Sequence, residues 1–179
     1  GDGYPELITG LTNVNFNLTV QNTTRSLVVA YDGRTGAVLW EFLGDITRSI
    51  QRSATPTIVD LDLDGDTEII WSHHVLDHEG NLLFDLPVEQ TIPNGGSDFL
   101  TVAIANFDND AFPEIIAYDA SHLTLYSHDG QIQWQIERAS GGFGFPWSDI
   151  TVAELDGDPF PEFVSMLRPD GGGGLTLYA

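Results

Sequence analysis

The sequence predicts an all-β fold assembled from repeated four-stranded antiparallel sheets, and three observations carry that prediction. A nine-residue acidic pattern recurs along the 179 residues, strand-like residues follow each copy, and a glycine turn with an aromatic residue four positions on closes the unit. The pattern is complete in Asp60–Glu68 (DLDLDGDTE), Asn106–Glu114 (NFDNDAFPE) and Glu154–Glu162 (ELDGDPFPE); Gly1–Glu6 (GDGYPE) supplies only positions four to nine of a fourth copy.

Oxygen-bearing side chains at positions one, three and five, with an acid at nine, surround one point when the backbone turns tightly between them. Calcium takes six to eight oxygens at loose geometry and suits such a cage. An EF-hand is excluded, because it needs a glutamate at position twelve, where this chain has Trp71, Ala117 or Ser165. By analogy with other DxDxDG loops, the expected ligands are Asp60, Asp62, Asp64, Glu68 and the carbonyl of Asp66 in the first complete copy. They are Asn106, Asp108, Asp110, Glu114 and the carbonyl of Phe112 in the second, and Glu154, Asp156, Asp158, Glu162 and the carbonyl of Phe160 in the third. The partial copy offers Asp2, Glu6 and the carbonyl of Tyr4. One copy alone would read equally well as a solvated acidic turn; three at matched spacing favour three complete calcium sites and a fourth, partial one. The Glu154 loop is expected to be the weakest, since Glu154 must fold back to reach, and the Asp60 loop the tightest on ligand charge.

The elements follow in order. Position nine recurs at Glu6, Glu68, Glu114 and Glu162, at intervals of 62, 46 and 48 residues. A first strand precedes each complete loop, at 57–59, 102–105 and 150–153. A second follows it, at 69–71, 115–117 and 163–164. A third ends before the glycine turn, at 28–31, 75–76 and 123–126, and the LTLY of Leu123–Tyr126 returns as Leu175–Tyr178. A fourth leaves the turn with an aromatic residue four positions after the glycine: Gly36 to Trp40, Gly80 to Phe84, Gly130 to Trp134. Four steps along a strand return to the same face, so these rings should fill equivalent slots between neighbouring sheets. Four short strands in about 45 residues, with turn chemistry at fixed offsets, are the signature of a β-propeller blade. The units fall at about 1–45 (partial), 54–88, 99–137 and 147–179 (partial).

Composition bounds the partners. The chain has 27 acids against six arginines and no lysine, a formal charge of −21, which disfavours nucleic acid and anionic membranes. Fourteen of the acids lie in the four loops, so three calcium ions would bring the charge to about −15 and relieve self-repulsion. With 41% hydrophobic residues the chain can bury a core. No apolar run approaches the roughly 20 residues of a membrane span. Cysteine is absent. Loops of this composition suit millimolar calcium, which points to an extracellular or cell-surface protein. Two sequons, at Asn17 and Asn22, are candidate glycosylation sites in the insertion from Gly10 to Arg25.

In residues and order the repeats resemble the FG-GAP/VCBS family, whose integrin-like blades carry a DxDxDGxxD/E calcium loop between their first two strands. Asp32–Trp40 (DGRTGAVLW) also looks like the turn of PQQ-type propeller repeats. The likeness covers nearly the whole chain and departs at Asn106, Glu154 and Ala111, so affinity should differ between loops. It implies about four blades, a segment of a larger seven-bladed ring, with open edges at which copies could pair into a filament. It also implies that first-to-second and third-to-fourth strand turns share one face. The blade connections lie on the other, where Phe143, Phe145 and Trp147 (in ASGGFGFPW) are ligand-face candidates for a sugar or peptide.

No catalytic residue stands out. His73, His74 and His78 cluster in sequence, but adjacent histidines on a strand point to opposite faces, and zinc is not expected without a third ligand on one side. Ser72 beside His73 makes no triad, and there is no GxSxG, HExxH or phosphate loop. Two functions remain open: an extracellular adhesion or structural scaffold that binds a protein, a glycan or another copy of itself, and a carbohydrate-active propeller, lectin or polysaccharide lyase.

Overall fold

The computed structural model describes residues 4–11, 25–45, 55–88, 101–118, 122–137, 150–165 and 176–178. Among them every regular element is a strand. Asp2, Asn17, Asn22, Phe143, Phe145 and Trp147 lie outside the described residues.

Four antiparallel sheets follow one another along the chain. The first contains β1 (Glu6–Leu11), β2 (Arg25–Asp32) and β3 (Val38–Asp45), and the second β4 (Thr57–Val59), β5 (Glu68–Trp71), β6 (His74–Leu76) and β7 (Leu82–Asp85). The third contains β8 (Thr101–Ala105), β9 (Glu114–Tyr118), β10 (His122–Tyr126) and β11 (Ile132–Glu137), and the fourth β12 (Thr151–Ala153), β13 (Glu162–Ser165) and β14 (Thr176–Tyr178). Among the described residues every strand pairs with its sequence neighbour, so each sheet is a meander and none closes into a barrel. Among the described residues, the strands on either side of the three complete loops fall within one residue of the positions the sequence predicts. In the three sheets that contain a third-to-fourth strand turn, the register slips by one beside it, between Ala30 and Tyr31, Val75 and Leu76, and Leu125 and Tyr126.

The central strands explain the uninterrupted apolar runs. EIIW of β5, EIIAY of β9 and HLTLY of β10 are buried at every residue, whereas LLFD of β7 is mostly exposed. Alternation is lost because both faces of a central strand meet another sheet, as continuous apolar runs require. The core is therefore three clusters, each shared by two consecutive sheets. Val28 of β2 packs with Ile69, Trp71 and Leu76; Ile70 and Val75 pack with Ile115, Ala117 and Tyr126; Ile116, Leu123 and Leu125 pack with Ile150 and Phe163. The first strands β4, β8 and β12 approach one another in turn.

The rings of Trp40, Phe84 and Trp134 sit half-buried at the rims of these three clusters. Two of them explain a glycine in the next sheet. A Cβ on Gly80 would lie 2.5 Å from the Trp40 indole, and one on Gly130 would lie 2.7 Å from Phe84, while both glycines have left-handed φ, at 84° and 81°. Glycine is thus required twice over, for backbone conformation and for the aromatic lid of the preceding sheet. The Trp40 Nε1–H also donates to the His78 carbonyl at 3.0 Å, and the Tyr126 hydroxyl to that of Pro87 at 2.9 Å, so polar ties cross both junctions.

Candidate metal centre

Each complete acidic pattern forms the turn between the first and second strand of its sheet, and its hydrogen bonds follow one scheme. The position-three carboxylate accepts the N–H of position five, and the position-five carboxylate that of position seven. These contacts are Asp64 to Asp62 (3.2 Å) and Asp66 to Asp64 (2.8 Å), Asp110 to Asp108 (2.7 Å) and Phe112 to Asp110 (2.7 Å), Asp158 to Asp156 (3.0 Å) and Phe160 to Asp158 (2.7 Å). Such successive side-chain-to-backbone turns are what Asp and Asn favour locally. They curl the loop so that its remaining oxygens face inward.

The glutamate at position nine closes the loop. Glu68, Glu114 and Glu162 are buried, and in each case Oε2 accepts the N–H of position two: Leu61 at 2.6 Å, Phe107 at 2.7 Å and Leu155 at 2.6 Å. This threefold contact, which sequence reasoning missed, ties the end of one strand to the start of the next.

The carboxylates gather as expected, with exceptions. Asp60, Asp62 and Glu68 offer oxygens within 4.8 Å of one another, as do Asp108, Asp110 and Glu114, and as do Glu154, Asp156, Asp158 and Glu162. Asp64 is not drawn into the first group, although its counterparts Asp110 and Asp158 belong to theirs. The loop expected to be weakest gathers the most carboxylates, because Glu154 does fold back and accepts the N–H groups of Asp156 and Gly157. Asn106 accepts the Asp108 N–H at 3.2 Å and donates to the Asp110 carbonyl at 2.7 Å, so it braces the second loop. In the partial copy Glu6 is exposed, unlike its three counterparts.

Electrostatics point the same way. Burial pushes the carboxyls of Glu68 and Glu114 above the usual 4.5; the N–H of Leu61 or Phe107 opposes that, and the neighbouring aspartates add to it. Glu114 Oε1 and Asp60 Oδ1 are buried with no hydrogen-bond partner. A buried acceptor left unpaired is costly, and two such atoms within all-oxygen donor sets fit a hard cation. The clusters can therefore hold a metal ion.

In three copies, counting the partial one, the position-seven side chain turns to the third-to-fourth strand turn. Arg34 lies over the Tyr4 ring at 4.1 Å, His78 Nδ1 is 3.9 Å from Asp66 Oδ2, and His128 stacks on Phe112 at 4.1 Å. The two kinds of turn thus share one end of the sheets, as expected. The signal was in the sequence: Arg34, His78 and His128 each stand two residues before a turn glycine.

The histidine expectation is corrected. His73 is not on a strand; it occupies the two-residue turn between β5 and β6, with Ser72 at a left-handed φ of 56°. Its ring lies 4.0 Å from that of His74, and Asp85 of β7 completes a group of three. His78 is at the other end of the sheet, near Asp66.

Neither a protein-family model nor a curated protein matches the chain. Among solved structures it is similar to rhamnogalacturonan lyase YesW, with a TM-score of 0.55 and 19% identity, over 88% of this chain and 26% of that one. It also matches the V. cholerae biofilm matrix protein Bap1, with a TM-score of 0.40 and 19% identity, over 89% of this chain and 34% of that one. The chain spans between a quarter and about a third of the length of these structures. What it shares with the lyase is the fold, an all-β array of antiparallel sheets.

Proposed function

We propose that the chain is a run of calcium-stabilised β-propeller blades of the FG-GAP/VCBS kind, part of an extracellular adhesion or structural scaffold. The observation that carries the reading is the buried position-nine glutamate. In three loops it opens the second strand while binding the N–H just after the first, and in Glu114 its other oxygen is buried and unpaired. An ion there would neutralise the cluster and lock the strand ends of each sheet together, a structural role. Calcium is the ion that suits irregular all-oxygen sets of this size at extracellular concentrations. A rigid array of blades then presents its loops and connections to a protein, a glycan or a second copy.

The test is equilibrium dialysis with calcium, followed by binding of the calcium-loaded chain to a glycan array and an assay on pectic polysaccharides. Three bound ions and partner binding that a chelator abolishes would support the scaffold. Depolymerisation of the polysaccharide would replace it with the carbohydrate-active reading, which the same fold accommodates because fold does not fix function.

A further inference from the structure

We infer that the turn after β5 and the end of β7 form a second, chemically different metal site, in which His73, His74 and Asp85 hold a divalent transition ion of the zinc class. This does not rest on the calcium reading, since the acidic loops lie at the opposite end of β5. One ligand atom from each of the three residues lies within 4.8 Å of the others. Two features of the backbone create that convergence. The tight turn, with Ser72 left-handed, brings His73 beside His74 rather than across the sheet from it. His74 and Asp85 are register partners on β6 and β7, with His74 Nδ1 and Asp85 Oδ1 2.6 Å apart, and the Leu86 N–H donates to the His73 carbonyl at 2.7 Å, which pins the strand end to the turn.

The donor set is two imidazoles and one carboxylate. Three protein ligands with a fourth position left for water is the arrangement zinc takes when it is not fully enclosed, and imidazole selects against calcium and magnesium. His74 is 4% exposed, and its ring meets the edge of Phe42 from the preceding sheet at 5.2 Å. The Asp85 side chain is half exposed, which leaves a path for the ion. A core histidine tied to an aspartate would account for His74. It would not account for a second imidazole drawn alongside.

The experiment titrates cobalt(II) into the full chain under saturating calcium, so that the acidic loops are filled, and reads visible d–d absorption, followed by displacement with zinc. One equivalent of cobalt with the intense absorption of four-coordinate geometry is expected. His73→Ala and Asp85→Asn should each weaken it by at least about tenfold. Calcium binding and far-UV circular dichroism check that the variants fold. Cobalt that stays weakly absorbing and octahedral, or an affinity untouched by both His73→Ala and Asp85→Asn, overturns the assignment.

Discussion

Glu114→Gln should stabilise the chain without calcium and destabilise it with calcium. In the parent, Glu114 is 1% exposed and one of its oxygens is committed to the Phe107 N–H at 2.7 Å, while the other is buried and unpaired. Its cluster partners Asp108 and Asp110 lie within 4.8 Å, where two unit charges repel by about 0.9 kcal/mol even at the dielectric constant of water. Relief of both pairs by the neutral amide amounts to about 2 kcal/mol, or roughly 4–8 °C in Tm for a chain of this size. The glutamine carbonyl can keep the Phe107 contact, which turns its NH2 group toward the cluster, where it can donate to an aspartate but repels a cation. At calcium a thousandfold above the parent's Kd, that site contributes about 4 kcal/mol to the parent. The variant forgoes it and should end about 2 kcal/mol below the parent. Urea unfolding in chelator and in calcium measures both signs. A variant less stable than the parent in chelator, or a difference of one sign in both conditions, refutes the electrostatic account of the loop.

Asp62→Ala should lower calcium stoichiometry by one and cost stability in calcium, with the penalty vanishing in chelator; an equal penalty in both would remove Asp62 from the ligand set. Burial holds Glu68 and Glu114 above 4.5, and a carboxyl so raised favours the fold below its ordinary value and loses that contribution as pH climbs through the folded-state value. In chelator, these groups should therefore add stability as pH falls from neutral toward about 5, whereas in saturating calcium, which needs them ionised, the same acidification should weaken the fold; urea midpoints across pH give both slopes. Gly130→Ala should cost about 2–4 kcal/mol from left-handed strain and the clash with Phe84. Phe84→Leu in the same chain should recover the packing share but not the backbone share, and a double-mutant cycle with no coupling would deny the contact.

The loops were legible because calcium-type ligation is local: Asp108, Asp110 and Glu114 lie within seven residues, and side-chain-to-backbone turns alone bring them together. The strands were legible for a related reason, since each pairs with its sequence neighbour and turn residues mark the joins. Sequence order alone therefore determined the all-β class and the acidic clusters. What it left undecided were contacts between segments tens of residues apart. The four-residue spacing set Trp40 and Phe84 between neighbouring sheets, but that they lie on Gly80 and Gly130 depends on how one sheet stacks on the next. The same is true of His73, His74 and Asp85: alternation along a strand set the two histidines on opposite faces, but a left-handed Ser72 turned the strand into a hairpin tip, and the pairing of β6 with β7 supplied the carboxylate. Tertiary structure decided that site because backbone conformation at one residue, and register between two strands, outweigh the period of the chain.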